Sequence, residues 1–237
     1  MGRDSKINWT DHTFNPWWGC AKVSPGCANC YAESLSTRYG HSIWGVTASR
    51  RFFGDKHWNE PLSWNRAAAQ SGQTALVFCA SMADVYEDRP DLVEPRERLF
   101  ELIHATPALR WLIVTKRPEN ILRMGYPETA WLGVSAENQT EWNRRVSILL
   151  TIPASVRFVS AEPLLDSIDM GNLSPDWLIV GGESGPKARP VDPAWVRSLR
   201  DQCLGRVTKF WFKQWGGVRP DEAGRELDGR EWSERPE

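Results

Sequence analysis

Between residues 74 and 214 the chain alternates short, almost unbroken apolar runs with longer stretches whose apolar residues recur at helical spacing. The runs are TALVFCA (74–80), LRWLIVT (109–115), AWLGVS (130–135), VRFVS (156–160), DWLIVGG (176–182) and TKFWFKQ (208–214). A strand that is apolar on both faces is covered on both faces, the pattern of a parallel sheet. Between the runs, DLVEPRERLFELIHAT, RPENILRM, NQTEWNRRVSILLTI and DPAWVRSLRDQCL read as helices. In the third, Trp142, Val146, Leu149 and Leu150 recur at helical spacing, and Pro118 and Pro193 sit where a first turn tolerates proline. Strand starts return about every 20 to 35 residues, the size of a βα unit. With a first strand near KINWT, this predicts an α/β fold: a full or partial (β/α) barrel of about six to seven parallel strands. A doubly wound open sheet is the competitor, weakened because no G-x-G-x-x-G follows the first strand.

Residues 31–73 break the rhythm. YAESLSTRYG reads as a helix, and HSIWGVTASRRFFGDKHWNEPLSW as a loop-rich insertion leading to a second short helix. The insertion carries Arg50, Arg51, Lys56 and His57, either a solvated rim or a substrate-facing basic edge. From Gly216 the chain turns polar and glycine-rich, which predicts a loosely held extension with a small hairpin at LDGR. The expected organisation is one barrel domain over 1–215, with the insertion at about 41–73, followed by a C-terminal extension over 216–237. Fourteen tryptophans change the picture further. Trp111, Trp131, Trp177 and Trp211 lie on strand runs and read as core. Trp17, Trp18, Trp44, Trp58 and Trp64 lie in irregular sequence, where they pack loops onto the barrel or offer a stacking platform for a planar group.

The formal net charge of −1 supplies no global field for nucleic acid, so any such contact must be a local patch. MGRDSKINWTDHTF has no apolar core of a secretory leader, and no run approaches the roughly 18 apolar residues that cross a bilayer. A cytoplasmic protein without a membrane partner is expected.

Ligands of parallel α/β proteins bind beyond the carboxyl ends of the strands. Each apolar run here ends in polar or small residues: Ser81 and Asp84, then Lys116 and Arg117, then Ser135, Glu137 and Asn138. Ser160 and Glu162 follow, then Gly181, Gly182, Glu183 and Ser184, then Lys213 and Gln214. The near-repeats SAEN, SAEP and GGES put carboxylates at three adjacent strand ends, which is costly in a buried rim unless they meet donors or cations. A polar ligand pocket at this face is expected.

Three of the five cysteines fall within eleven positions, as Cys20-x6-Cys27-x2-Cys30. That clustering fits metal ligation in a reducing compartment better than a disulfide framework. Zinc could take the three thiolates with a fourth ligand from His12, His41 or Cys79, or with water in an open position. A [4Fe–4S] cluster could take the same three and keep one iron open. Cys79 on a strand and Cys203 in a helix are isolated, and Cys79 reads as a small core residue before it reads as a hydrogen-atom donor.

A three-cysteine loop after the first strand of a parallel barrel, followed by Tyr31 and a helix, resembles the radical S-adenosylmethionine superfamily. The spacing departs from that superfamily's usual C-x3-C-x2-C, and the aromatic follows the third cysteine instead of preceding it. More closely, INWTDHTFNPWWGCAKVSPGCANCYAE, SMADV, LIVTKRPEN, WLGVSAEN, FVSAEPLL, WLIVGGESGPKARP and FWFKQWGG…LDGREW resemble the phage-associated three-cysteine-motif family over nearly the whole chain. The resemblance implies that Cys20, Cys27 and Cys30 ligate a cluster whose fourth iron chelates S-adenosyl-L-methionine. It places Ser81 and Asp84 near the methionyl amine, and Ser135, Glu137 and Asn138 near ribose or methionyl groups. Gly181 and Gly182 would stand beside the adenine, with Glu183 and Ser184 adjacent and Glu162 among the pocket residues. It further implies an electron from a flavodoxin or ferredoxin, a 5′-deoxyadenosyl radical, and a nucleotide or nucleic acid as substrate. The competing readings are a zinc-binding hydrolase or nucleic-acid-binding module, and an idle barrel acting as a binding partner.

Overall fold

A computed structural model describes residues 2–219 and 222–237. Its principal strands are β1 (His12–Thr13), β2 (Ala75–Cys79), β3 (Leu109–Thr115), β4 (Trp131–Ser135), β5 (Arg157–Ala161), β6 (Trp177–Gly181) and β7 (Lys209–Gln214). They form one seven-stranded sheet in chain order, the α/β topology of a partial (β/α) barrel. The longer helices are α1 (Tyr31–Arg38), α2 (Glu60–Ser71), α3 (Val93–His104), α4 (Gln139–Leu150) and α5 (Pro193–Leu204). The chain divides into two compact units, Met1–Lys22 with Ala32–Leu132, and Val23–Tyr31 with Gly133–Glu237. Cys20 belongs to the first; Cys27 and Cys30 belong to the second.

In the first unit β1, β2 and β3 pair in parallel, with His12 opposite Val77 and Ala75 opposite Leu109. The first strand forms at His12–Thr13, just past KINWT. Residues 7–10 turn instead, with Thr10 N–H donating to Ile7 O at 3.2 Å, and Asp11 then receives Leu76 N–H at 2.7 Å. Val77, Trp111, Leu112 and Ile113 of the strands are buried, as are Leu99 and Ile103 of α3. Phe14 gathers the aromatic residues of the insertion, meeting Trp58 at 5.4 Å and Trp64 at 6.5 Å between ring centres. Trp17, Trp58 and Trp64 are buried, so these tryptophans pack loops onto the sheet. Trp17–Trp18 pairs antiparallel with Arg51–Phe52. The solvated-rim reading fails at Arg50. That residue is buried, paired with Glu87 at 2.7 Å, and donates to the carbonyls of Ile43 and Ala48.

In the second unit β5, β6 and β7 pair in parallel, with Phe158 opposite Trp177 and Trp177 opposite Lys209. Trp142, Val146 and Leu149 of α4 are fully buried, the outcome its helical spacing predicts. Asn138 starts α4 by accepting Glu141 N–H at 3.0 Å, and Asp192 starts α5 by accepting Ala194 N–H at 2.8 Å ahead of Pro193. Glu226–Leu227 and Arg230–Glu231 form the expected hairpin, turned by Asp228 and Gly229 at positive φ. The tail is not loosely held. Phe212 N–H donates to Trp232 O at 3.0 Å, Glu234 N–H donates to Phe210 O at 3.1 Å, and Leu227 and Trp232 are buried. Its backbone therefore covers the open edge of β7. Among the described residues no helix is long and apolar enough to cross a membrane.

Candidate functional site

In the first unit the polar residues at the ends of β2 and β3 converge on one buried carboxylate. Asp84 accepts from Thr115 Oγ1 (2.6 Å), Arg117 Nη1 (2.7 Å), Tyr86 N–H (3.0 Å) and Lys116 N–H (3.1 Å). Arg117, so oriented, donates through Nη2 to Ala21 O at 2.9 Å and brings Nη1 to 3.9 Å from Cys20 Sγ. Burial pushes the Cys20 thiol up to about 12, and Asp84 adds to this while Arg117 opposes it. A metal that takes this thiolate displaces the proton, and the guanidinium is placed to favour the anion. Ser81 is held by Asn15, whose Nδ2 donates to Ser81 Oγ at 3.1 Å and whose Oδ1 receives Met82 N–H at 2.7 Å.

In the second unit two strand-end carboxylates grip the segment that carries Cys27 and Cys30. Glu137 beyond β4 is 0 % exposed; it accepts Gly26 N–H on Oε1 and Arg145 Nη1 on Oε2, each at 2.9 Å. Arg145, also 0 % exposed, donates to Ser135 O at 2.8 Å and pairs with Glu141 at 3.0 Å. Gly26 has no room for a side chain, since a Cβ there would lie 2.9 Å from the Glu137 carboxyl carbon. Glu183 beyond β6 accepts from Asn29 Nδ2 (3.0 Å), Arg189 N–H (2.9 Å) and Arg189 Nε (2.8 Å). Arg189 Nη1 continues to Pro25 O at 3.2 Å. Burial pushes the Glu183 carboxyl up, but the Arg189 and Asn29 donors outweigh it and hold the group below the ordinary carboxylate range.

The remaining sequence-predicted residues lie in the same unit. Glu162 accepts from Ser160 Oγ at 3.0 Å and pairs with Lys213 at 2.9 Å. A Cβ on Gly181 would meet Glu162 Oε1 at 2.5 Å, and one on Gly182 would meet Trp215 O at 1.9 Å. The Cβ direction of both glycines is thus filled by the chain itself. Ser184 Oγ receives Gln214 Nε2. A cavity of about 370 Å³ is bordered by Pro25, Asn138, Gln139, Thr140, Leu165 and Arg189; of the predicted residues only Asn138 lines it.

Sequence reasoning missed Asn15, Asn29, Arg145 and Arg189. Arg145 carried a signal, because it falls on the apolar stripe of α4 with Trp142, Val146 and Leu149, where an arginine needs a buried anion. The other three had none, since their partners are far along the chain or set by loop geometry.

The donor chemistry fits a thiolate-held cofactor. None of the five cysteines is in a disulfide; Cys20, Cys27 and Cys30 are each partly exposed, while Cys79 and Cys203 are buried. Among the described residues no three His, Cys, Asp or Glu side chains are gathered around a single metal-ion position.

A parallel α/β sheet with a cysteine loop held by its strand-end carboxylates defines the class. The chain belongs to the family described as "Protein of unknown function (DUF5131)", which matches residues 4–236. No curated protein matches it. Among solved structures the chain is similar to spore photoproduct lyase complexed with dinucleoside spore photoproduct. The two share 12% identity over 90% of this chain and 79% of that one, with a TM-score of 0.55. A mutant of the same lyase is similar at 14% identity over 91% of this chain and 59% of that one, with a TM-score of 0.49. At 12% identity this likeness is one of fold.

Proposed function

We propose that this chain is a radical S-adenosylmethionine enzyme that holds a [4Fe–4S] cluster on Cys20, Cys27 and Cys30 and acts on a nucleotide or nucleic acid in the cytoplasm. One observation carries the reading: the loop after β1 presents three partly exposed thiols, and the strand-end carboxylates Glu137 and Glu183 fix its backbone at Gly26 and Asn29. Held on Cys20, Cys27 and Cys30 with one iron open, such a cluster would supply one-electron reductive cleavage of S-adenosylmethionine, the electron coming from a flavodoxin or ferredoxin.

The chain's own residues prepare the ground. Arg117 places positive charge beside Cys20 and favours its thiolate. Glu137 and Glu183 hold the segment carrying Cys27 and Cys30, with Arg145 and Arg189 neutralising them. Asn138 borders a cavity in the size range of small-ligand sites, beside Pro25 of the same segment, and is the residue we assign to ligand contact. Ser81, Asp84, Ser135, Glu162, Gly181, Gly182 and Ser184 act as the frame.

Purification without oxygen tests the reading. About four irons per chain, and 5′-deoxyadenosine on addition of dithionite and S-adenosylmethionine, are expected. A colourless protein holding one zinc would overturn it in favour of a zinc hydrolase or zinc-stabilised binding module.

A further inference from the structure

We propose that the first unit carries a stacking surface for single-stranded nucleic acid, built on Tyr39, Trp18, Arg51 and Phe53. The inference rests on the nucleotide reading for its substrate class and on the following geometry for everything else. Residues 34–54, SLSTRYGHSIWGVTASRRFFG, contain three arginines and four aromatic residues and not one Asp or Glu. Arg50 is taken by its buried pair with Glu87. Arg51 is different. Among the described residues it forms no ion pair, and its guanidinium lies over two rings, 4.8 Å from the centre of Trp18 and 5.2 Å from that of Phe53.

The short ladder dictates this arrangement, because Trp18 stands directly opposite Arg51 and shares its face. Trp18 and Phe53 meet edge to face, 5.8 Å apart at 76°, and further rings flank them. Tyr39 lies 6.2 Å from Trp18 at an interplanar angle of 31°, and His57 lies 4.5 Å from Phe53. Tyr39 is 60% exposed, and the exposed Arg38 and Lys56 neighbour Tyr39 and His57 in sequence, with Glu60 lying 3.6 Å from His57 at the other end. If the cluster were only a staple closing the loop, Trp18 and Arg51 would suffice, and an exposed tyrosine ring beside Arg38 would be unexplained.

A cluster of aromatic rings with an interleaved guanidinium and an exposed tyrosine face has a specific chemical complement. Unpaired bases offer planar faces and their phosphates offer negative charge, whereas a duplex hides its base faces in the stack. With a net charge of −1 the chain has no general affinity for polyanions, so binding must come from a local patch such as this one.

Fluorescence anisotropy with the full chain tests the proposal, using labelled DNA and RNA strands of about 15 nucleotides and the matching DNA duplex. All three are titrated at low salt without S-adenosylmethionine or reductant. Single strands are expected to bind at least about tenfold more tightly than duplex, with affinity falling as salt rises. Tyr39→Ala should weaken single-strand binding about fivefold or more, and Arg51→Lys, which keeps the charge and loses the plane, by a similar factor. Thermal melts matched to the unmodified chain show that the variants are folded; should Arg51→Lys fail to fold, the exposed Tyr39 decides alone. Preference for DNA or for RNA identifies the natural strand, and either supports the proposal. No binding at low salt, equal binding of duplex, or full affinity in a folded Tyr39→Ala variant would overturn it. Because no radical chemistry takes part, failure here leaves the 5′-deoxyadenosine assay standing, and the reverse holds equally.

Discussion

Replacing Glu137 with glutamine (E137Q) keeps the shape of a buried side chain and removes its charge. Glu137 and Arg145 are both 0 % exposed, joined at 2.9 Å. Removing one partner of a buried pair costs about 3–5 kcal/mol when the other charge is left uncompensated. Arg145 is not left alone, because Glu141 remains at 3.0 Å and Ser135 O at 2.8 Å. The loss should therefore fall at or below the low end, about 2–3 kcal/mol. E137A also removes the acceptor of Gly26 N–H, and should cost about 1–2 kcal/mol more. Urea unfolding of the metal-free protein measures both. The second readout is iron retained after reconstitution, which should drop further in E137A than in E137Q, since only the former releases the backbone next to Cys27. An E137Q protein within about 0.5 kcal/mol of the unmodified chain would refute the clamp, as that is the range of an ordinary surface change.

Four further outcomes follow from the same geometry. Gly26→Ala should push the loop off Glu137 and lower iron occupancy with little change in the fold's circular dichroism. Glu183 titrates below its unfolded value, so the stability it lends is present above the ordinary carboxylate range, near pH ~4.3, and drains away as pH falls through the lower folded value. E183Q should flatten that acid limb of the pH–stability curve. Arg117→Gln removes a donor beside Cys20 Sγ and should shift the cluster's midpoint potential to a more negative value, measured by redox titration. Gly182→Ala places a methyl 1.9 Å from Trp215 O and should cost about 3 kcal/mol or more, or prevent soluble expression.

Most of the sheet was legible because doubly covered strands must be apolar throughout, and β2 to β7 each formed within a residue or so of its apolar run. The exception is instructive. β1 is two residues long, too short for any periodicity, and the aromatic and β-branched letters just before it belong to a turn. The strand-end carboxylates were equally visible, and so was their need for cations. Which cations could not be read: Arg145 lies eight residues beyond Glu137 on a helix, and Arg189 returns to Glu183 through a loop. The same limit hid the grip on the cysteine segment, because Gly26 and Glu137 are 111 positions apart. Arg50 and Arg51 are identical letters side by side. One is buried against a carboxylate and the other lies over two rings, a difference that identical adjacent letters cannot show.

The metal content of protein prepared without oxygen, taken together with that of its Cys27→Ala variant, tests the central claim most directly. The account predicts about four irons per chain and a brown colour, both lost in the variant while Cys203→Ala retains them. A single zinc in the parent protein, or undiminished iron in Cys27→Ala, would contradict it.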